Sequence, residues 1–326
     1  MKDIVILGTG GWGTALGILL LDNGFSVTMW SPFQKELDVL KNTKENPLLK
    51  GVKIPDEIVF TNTLDCVNDA DLLVIAVPSH VVKSVCNQLK NFSNLPIIVS
   101  VAKGFEKETD ERLSVVIKNT LNTDKVVILS GPTHAEEVAR KVPTTIVAAC
   151  ENDSYAKIVQ SVFMNENMRV YTNNDVTGVE VAGALKNVIA LCAGISDGCG
   201  FGDNTKAALM TRGLKEISRL GVAMGGRSET FMGLTGVGDL IVTCTSMLSR
   251  NRRAGMLIGK GYTPQEAVNE VKMVVEGITA CNCAYRLAKK TGVEMPIVET
   301  AYSVLNDGVK PSDAVRTLMM RDKKAE

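Results

Sequence analysis

Histidine is nearly missing from this 326-residue sequence, which holds only His80 and His134. None of the eight cysteines forms a CxxC pair, and neither histidine stands at metal-ligand spacing, so the pattern argues against a metal site. The closest pair, Cys281 and Cys283, reads as reduced cysteines on a helix, as expected in the cytoplasm. Net charge is missing too: 36 Lys and Arg balance 36 Asp and Glu. No overall field would hold the chain on nucleic acid or an anionic membrane, so any anion site must be local. No apolar run approaches the roughly 18 residues that a membrane span needs. Lys2 and the apolar residues after it do not make a secretory signal, because Asp3 is misplaced, a glycine cluster breaks the apolar stretch, and DNG is no cleavage pattern. No proline-rich or low-complexity linker divides the chain.

What is present is enough apolar material, 45% of residues, for two ordinary domains. The first half alternates short β-rich runs (DIVIL, FSVTMW, DLLVIAV, PIIVSVA, KVVILS, TTIVAA) with helical patterns. That alternation predicts an α/β domain with a doubly wound parallel sheet over residues 1–175. The runs at 71–77 and 95–102 are apolar at successive positions, as central strands are. Beyond Asn174 the apolar spacing becomes three and four, which predicts an all-α second domain over 176–326. The last residues, RDKKAE, read as a frayed tail.

Four glycines crowd into GTGGWG between the first strand and a helix-like run. Gly8, Gly10 and Gly13 fit GxGxxG: the first permits the turn, the second lets a pyrophosphate approach the backbone, and the third lets helix and strand pack closely. The helix N-terminus then offers its N–H groups to the phosphates. An acid at the end of the second strand would bond the ribose 2′-OH of NAD, but that segment reads Trp30-Ser31-Pro32-Phe33-Gln34-Lys35. Its lack of a carboxylate tilts the reading toward NADP, with Lys35 as a helper or a solvated surface lysine, and leaves NAD open.

In GVEVAGALKNVIALCAG the apolar stripe Val179, Ala182, Ile189, Ala193 is interrupted at Lys186. A lysine there is either a proton-exchanging amine on the packed side or a lysine whose stem packs while its head reaches water. Lys103 follows the strand PIIVSVA, and Gly131-Pro132-Thr133-His134-Ala135 follows KVVILS and opens a helix. Both fall at the carboxyl edge of the sheet, where such folds bind ligands. Farther on, Asp239 lies in a glycine-rich bend, and Ser249 suits an N-cap that places Arg250 and Asn251 in a first helical turn. Cations there oppose the helix dipole unless an anion is bound, so the turn suits a phosphate. A nucleic-acid stripe is the weaker reading, for want of interleaved aromatics.

Together, GTGGWGTALG, VPSH, AKGFE, SGPTHAEEV, GALKNVIALCAGISDGCGFGDNTKAAL, GLTGVGDL, SRNRRAG and VVEG resemble, in order from Ile4 to about Pro296, the bacterial type of NAD(P)-dependent glycerol-3-phosphate dehydrogenase. The resemblance implies a Rossmann domain followed by a helical substrate domain, a homodimer, and reversible reduction of dihydroxyacetone phosphate to sn-glycerol 3-phosphate for phospholipid synthesis. It makes Lys186 the proton donor and acceptor, and has Lys103 contact both cofactor and substrate. Gly131, Thr133, Asp239, Ser249, Arg250 and Asn251 would surround the substrate, Arg250 also reaching the cofactor. Gly11, Trp12, Phe33, Ala135, Val274 and Glu276 would line the dinucleotide. The chain departs from the resemblance at Pro32-Phe33, where many members carry polar or basic residues, and that puts the NADP preference in doubt. Two other functions compete: a related two-domain dehydrogenase of hydroxy acids or sugar acids, with SRNRR as the carboxylate clamp, and a non-catalytic dinucleotide-binding redox sensor, which would need the glycine loop but not Lys186, Lys103 and SRNRR together.

Overall fold

The apolar run DIVIL forms β1 (Asp3–Leu7) of an eight-stranded sheet in the computed structural model, which describes residues 1–323. The strands that follow are β2 (Ser26–Trp30), β3 (Val59–Thr61), β4 (Leu72–Ile75), β5 (Ile97–Ser100), β6 (Val126–Ser130), β7 (Thr144–Ala149) and β8 (Met168–Asn173). They lie in the order β3-β2-β1-β4-β5-β6-β7-β8. Ile4 and Ile6 pack with Leu16 and Leu20 of the Gly11–Asp22 helix, while Val5 and Leu7, also buried, face the other way. Both faces of β1 are thus covered, as in a doubly wound sheet.

β1 to β6 are mutually parallel, as the alternation predicts. β7 departs from that pattern: it runs antiparallel to β6, and β8 runs parallel to β7. Only the five-residue helix Ala135–Ala139 stands between β6 and β7. The chain turns back at the carboxyl edge instead of crossing the sheet. β3 and β8 go unread in the sequence, being a three-residue strand and an edge strand with only Met168 and Val170 buried.

The chain divides into two units, residues 1–106 with 111–176, and residues 107–110 with 177 onward. The short segment 107–110 belongs to the second unit because Arg286 grips it, donating to both carboxylate oxygens of Asp110 and to the Lys107 carbonyl.

The second unit is helical around Val176–Gly198, which is buried on every side, not along one stripe. This helix is long and apolar enough by length and mean composition to cross a bilayer, but Glu180 and Lys186 interrupt any continuous apolar run, and 94% of its apolar window is buried within the protein. The Arg250–Gly259 helix lies directly against it. A Cβ on Gly194 would strike the Arg252 carbonyl, and one on Gly255 would strike the carbonyl of Leu191. Glycine here permits contact of one helix backbone with another. Among the described residues the Pro311–Met319 helix is the last, and of the RDKKAE tail residues 324–326 lie outside them.

Candidate active site

In the first unit the glycine loop lies where the strand order reverses, between the carboxyl ends of β1 and β4. Gly8 has φ +124°, and a Cβ there would come within 2.7 Å of the Ala76 carbonyl oxygen just past β4. Only glycine fits this approach. A Cβ on Gly13 would strike the Gly8 carbonyl, so the start of the helix presses on the loop. At Gly10 a Cβ would meet nothing within 4 Å. That side of the loop faces open space, and Gly10 is the N-cap of Gly11–Asp22, whose first turn carries no acid. Helix geometry leaves the N–H groups of Gly11, Trp12 and Gly13 without intrahelical acceptors. A dinucleotide pyrophosphate fits these residues.

Asn46, which sequence reasoning missed, holds this loop. It is buried, and its Nδ2 donates to the Thr9 carbonyl at 2.9 Å and to Thr14 Oγ1 at 2.7 Å. Its Oδ1 accepts from Leu48 N–H at 2.9 Å. At the end of β2, Phe33 is 67% exposed as the N-cap of Gln34–Thr43.

At the carboxyl ends of β5 and β6 the structure brings together Lys103, Gly131 and Thr133. Lys103 Nζ donates to the Gly131 carbonyl at 2.8 Å and to Thr133 Oγ1 at 3.3 Å. Gly131 has φ +147°, and Ala135 opens the short helix behind it.

In the second unit Lys186 is 6% exposed. Its ammonium does not rise to water by its stem. It donates to Asp239 Oδ1 and, at 2.9 Å, to Thr243 Oγ1. Asp239 is completely buried and begins the Asp239–Thr245 helix, entered through a π-helical turn at Leu234–Gly238. The bend expected from the glycines is this turn. Thr243 Oγ1 donates to the Asp239 carbonyl at 2.6 Å, which leaves its lone pairs toward Lys186. The pairing of opposite charges offsets the desolvation that either would suffer alone.

Next to Lys186, Asn187 Oδ1 accepts from Asn251 Nδ2 at 2.8 Å, and Asn251 Oδ1 accepts from Gly277 N–H at 2.9 Å. Asn251 thereby ties the lysine helix to the start of the Glu276–Thr291 helix, beside Val274 and Glu276. Ser249 is the expected N-cap, accepting from Arg252 N–H at 3.2 Å. Arg252 is committed to Asp197, bonded through Nε at 2.8 Å, while Arg250 is exposed.

Residues 3–156 match the family described as NAD-dependent glycerol-3-phosphate dehydrogenase N-terminus, and residues 175–316 its C-terminus. A Clostridium perfringens protein named glycerol-3-phosphate dehydrogenase [NAD(P)+] is 53% identical over 329 residues, covering 100% of this chain and 99% of that one. The chain belongs to this dehydrogenase family. A Thermoanaerobacter protein of the same name is 53% identical over 325 residues, covering 99% of this chain and 98% of that one. The crystal structure of glycerol-3-phosphate dehydrogenase from Coxiella burnetii superposes with a TM-score of 0.94 at 34% identity, covering 98% of this chain and 99% of that one.

In this glycerol-3-phosphate dehydrogenase family member all eight cysteines are free. Burial pushes Cys244, one residue from Thr243, up to about 12 despite the nearby Lys186 cation. It stays a neutral thiol at physiological pH and offers no nucleophile.

Proposed function

We propose that the chain catalyses the NAD(P)-dependent interconversion of dihydroxyacetone phosphate and sn-glycerol 3-phosphate. The observation that carries this reading is the buried Lys186 ammonium held by Asp239 and Thr243. When bound, the nicotinamide supplies a hydride to the C2 carbonyl carbon in reduction and takes one up in oxidation. Lys186 then gives a proton from Nζ to the oxygen that becomes the C2 hydroxyl, and in oxidation takes it back. Its charge also stabilises the alkoxide as it grows. Asp239 and Thr243 fix the amine, so no reorganisation is needed as charge moves.

The first unit, through Gly8, Gly10, Gly11, Trp12, Gly13, Phe33 and Ala135, is read as the dinucleotide-binding domain. Val274, Glu276 and Arg250 are read as further cofactor contacts. Lys103, Gly131, Thr133, Asp239, Ser249, Arg250 and Asn251 are read as substrate contacts, with Arg250 as the phosphate cation. Binding energy from that remote phosphate orients the reacting carbon. A cytoplasmic homodimer supplying phospholipid synthesis follows from the family resemblance.

The test is the rate of NADH and NADPH oxidation with dihydroxyacetone phosphate, beside keto acids that lack a phosphate. Rapid oxidation with the triose phosphate alone supports the reading, and a preference for a keto acid overturns it. Lys186→Ala should lower kcat by about 10³-fold or more, in the upper range for a general acid, while the dissociation constant for the dinucleotide holds. Near-normal turnover would remove Lys186 from proton transfer. Arg250→Ala should raise KM for the triose phosphate at least tenfold, and an unchanged KM would remove the phosphate site from this turn.

A further inference from the structure

We propose that Glu36 is a specificity residue that makes this chain bind NAD in preference to NADP. The proposal rests on the dinucleotide reading of the glycine loop. The segment 31–35 contains no acid, yet the fold brings one back to it. Ser31 is the first residue beyond β2, and its Oγ donates to Glu36 Oε2 at 2.8 Å. Ser31 is 3% exposed, and Glu36 is half-buried in the first turn of the Gln34–Thr43 helix, where the helix dipole favours a negative charge.

This strand end is tied to the glycine loop. Gly8 N–H donates to the Trp30 carbonyl at 2.9 Å, and on the other side Ser31 N–H donates to the Thr61 carbonyl at 3.2 Å. In a Rossmann fold the adenosine ribose hydroxyls meet the end of the second strand. A 2′-OH arriving there can donate to a carboxylate. A 2′-phosphate meets the negative charge of Glu36 instead, and finds the Ser31 hydroxyl proton already given to that carboxylate. Pro32 and Phe33 add no cation, and Lys35 is exposed. The acid stands six residues past the end of the strand, and the Ser31 hydroxyl draws it back.

The test is equilibrium titration of the full chain with NADH and with NADPH, followed by nicotinamide fluorescence and without substrate. The wild type should bind NADPH at least about tenfold more weakly than NADH, and the gap should narrow as salt is raised. Glu36→Gln keeps the size and an acceptor but removes the charge. It should tighten NADPH about tenfold, equivalent to about 1.4 kcal/mol, and leave NADH within about twofold. Ser31→Ala, which releases the carboxylate from the strand end, should narrow the gap partway. Equal affinities in the wild type, or a gap that persists unchanged in Glu36→Gln, would overturn the proposal while leaving the dinucleotide site standing. Failure of the wild type to bind either dinucleotide would overturn the glycine-loop reading and this proposal with it. Should Glu36→Gln not fold, the wild-type ratio and its salt dependence decide the matter.

Discussion

Glu216 shows how far burial moves a single carboxyl group. It is 2% exposed, and its oxygens accept from Ile297 N–H at 2.8 Å and Val298 N–H at 3.3 Å, at the start of the Pro296–Asn306 helix. Those donors favour the charged form, but burial outweighs them and raises the group from 4.5 to about 7. The folded protein therefore holds this proton more tightly than the unfolded chain does. Stability from this group is full below about pH 4.5 and falls as pH rises to about 7, by about 3 kcal/mol in total. Glu216→Gln, which keeps an acceptor for the two N–H groups, should lack this slope. Urea midpoints at pH 5 and pH 7.5 check it: the wild type should lose stability relative to the variant, and parallel behaviour would mean that Glu216 does not titrate in this range. The same scale explains what was legible at the site. Lys186 stood out because a charge interrupts an apolar stripe. Its partner Thr243 lies 57 positions on, and Asn46 clamps a loop 37 positions earlier, so neither had a local pattern to announce it. Glu36 has no local strand-end pattern for a related reason: it lies beyond the segment 31–35, in the first helical turn, and only that turn brings it to Ser31.

At the scale of elements, the second unit depends on two helices whose backbones touch. Gly194 and Gly198 on Val176–Gly198 face Gly255 and Gly259 on Arg250–Gly259: a Cβ on Gly198 would strike the Met256 carbonyl, and one on Gly259 that of Ile195. The obstructing atoms are backbone, so no side-chain rotation relieves the clash. Gly194→Val should therefore cost at least about 3 kcal/mol, at the upper end for overpacking, and should also disturb Asn251 and Arg250 on the displaced helix. A urea midpoint close to that of the wild type would show that the helices can separate without penalty. Element legibility follows physical cause. Continuous apolar runs marked the central strands because burial on both faces demands them. The direction of β7 was hidden because TTIVAA reads the same either way, and only the short connection after β6 decides it.

At the scale of the molecule, binding and stability are linked, and this separates the roles assigned to single residues. A dinucleotide that binds only the folded chain adds about 2.7 kcal/mol at a hundred times its dissociation constant, so it should raise Tm. Lys186 lies in the second unit and the glycine loop in the first, so Lys186→Ala should retain the full rise in Tm while losing turnover. Asn46→Ala should behave in the opposite sense. Its Nδ2 holds the Thr9 carbonyl and Thr14 Oγ1, and without it the loop must be ordered by the ligand, at the expense of affinity. The loss of these buried bonds is worth about 1–3 kcal/mol, some of it in folding and some in binding. At fixed NADH the variant should then show a smaller rise in Tm than the wild type and a higher KM for the cofactor, with kcat at saturation changed little. If instead Asn46→Ala lowers the Tm of the free protein yet keeps the full NADH-induced rise, Asn46 supports the fold but does not preorganise the loop.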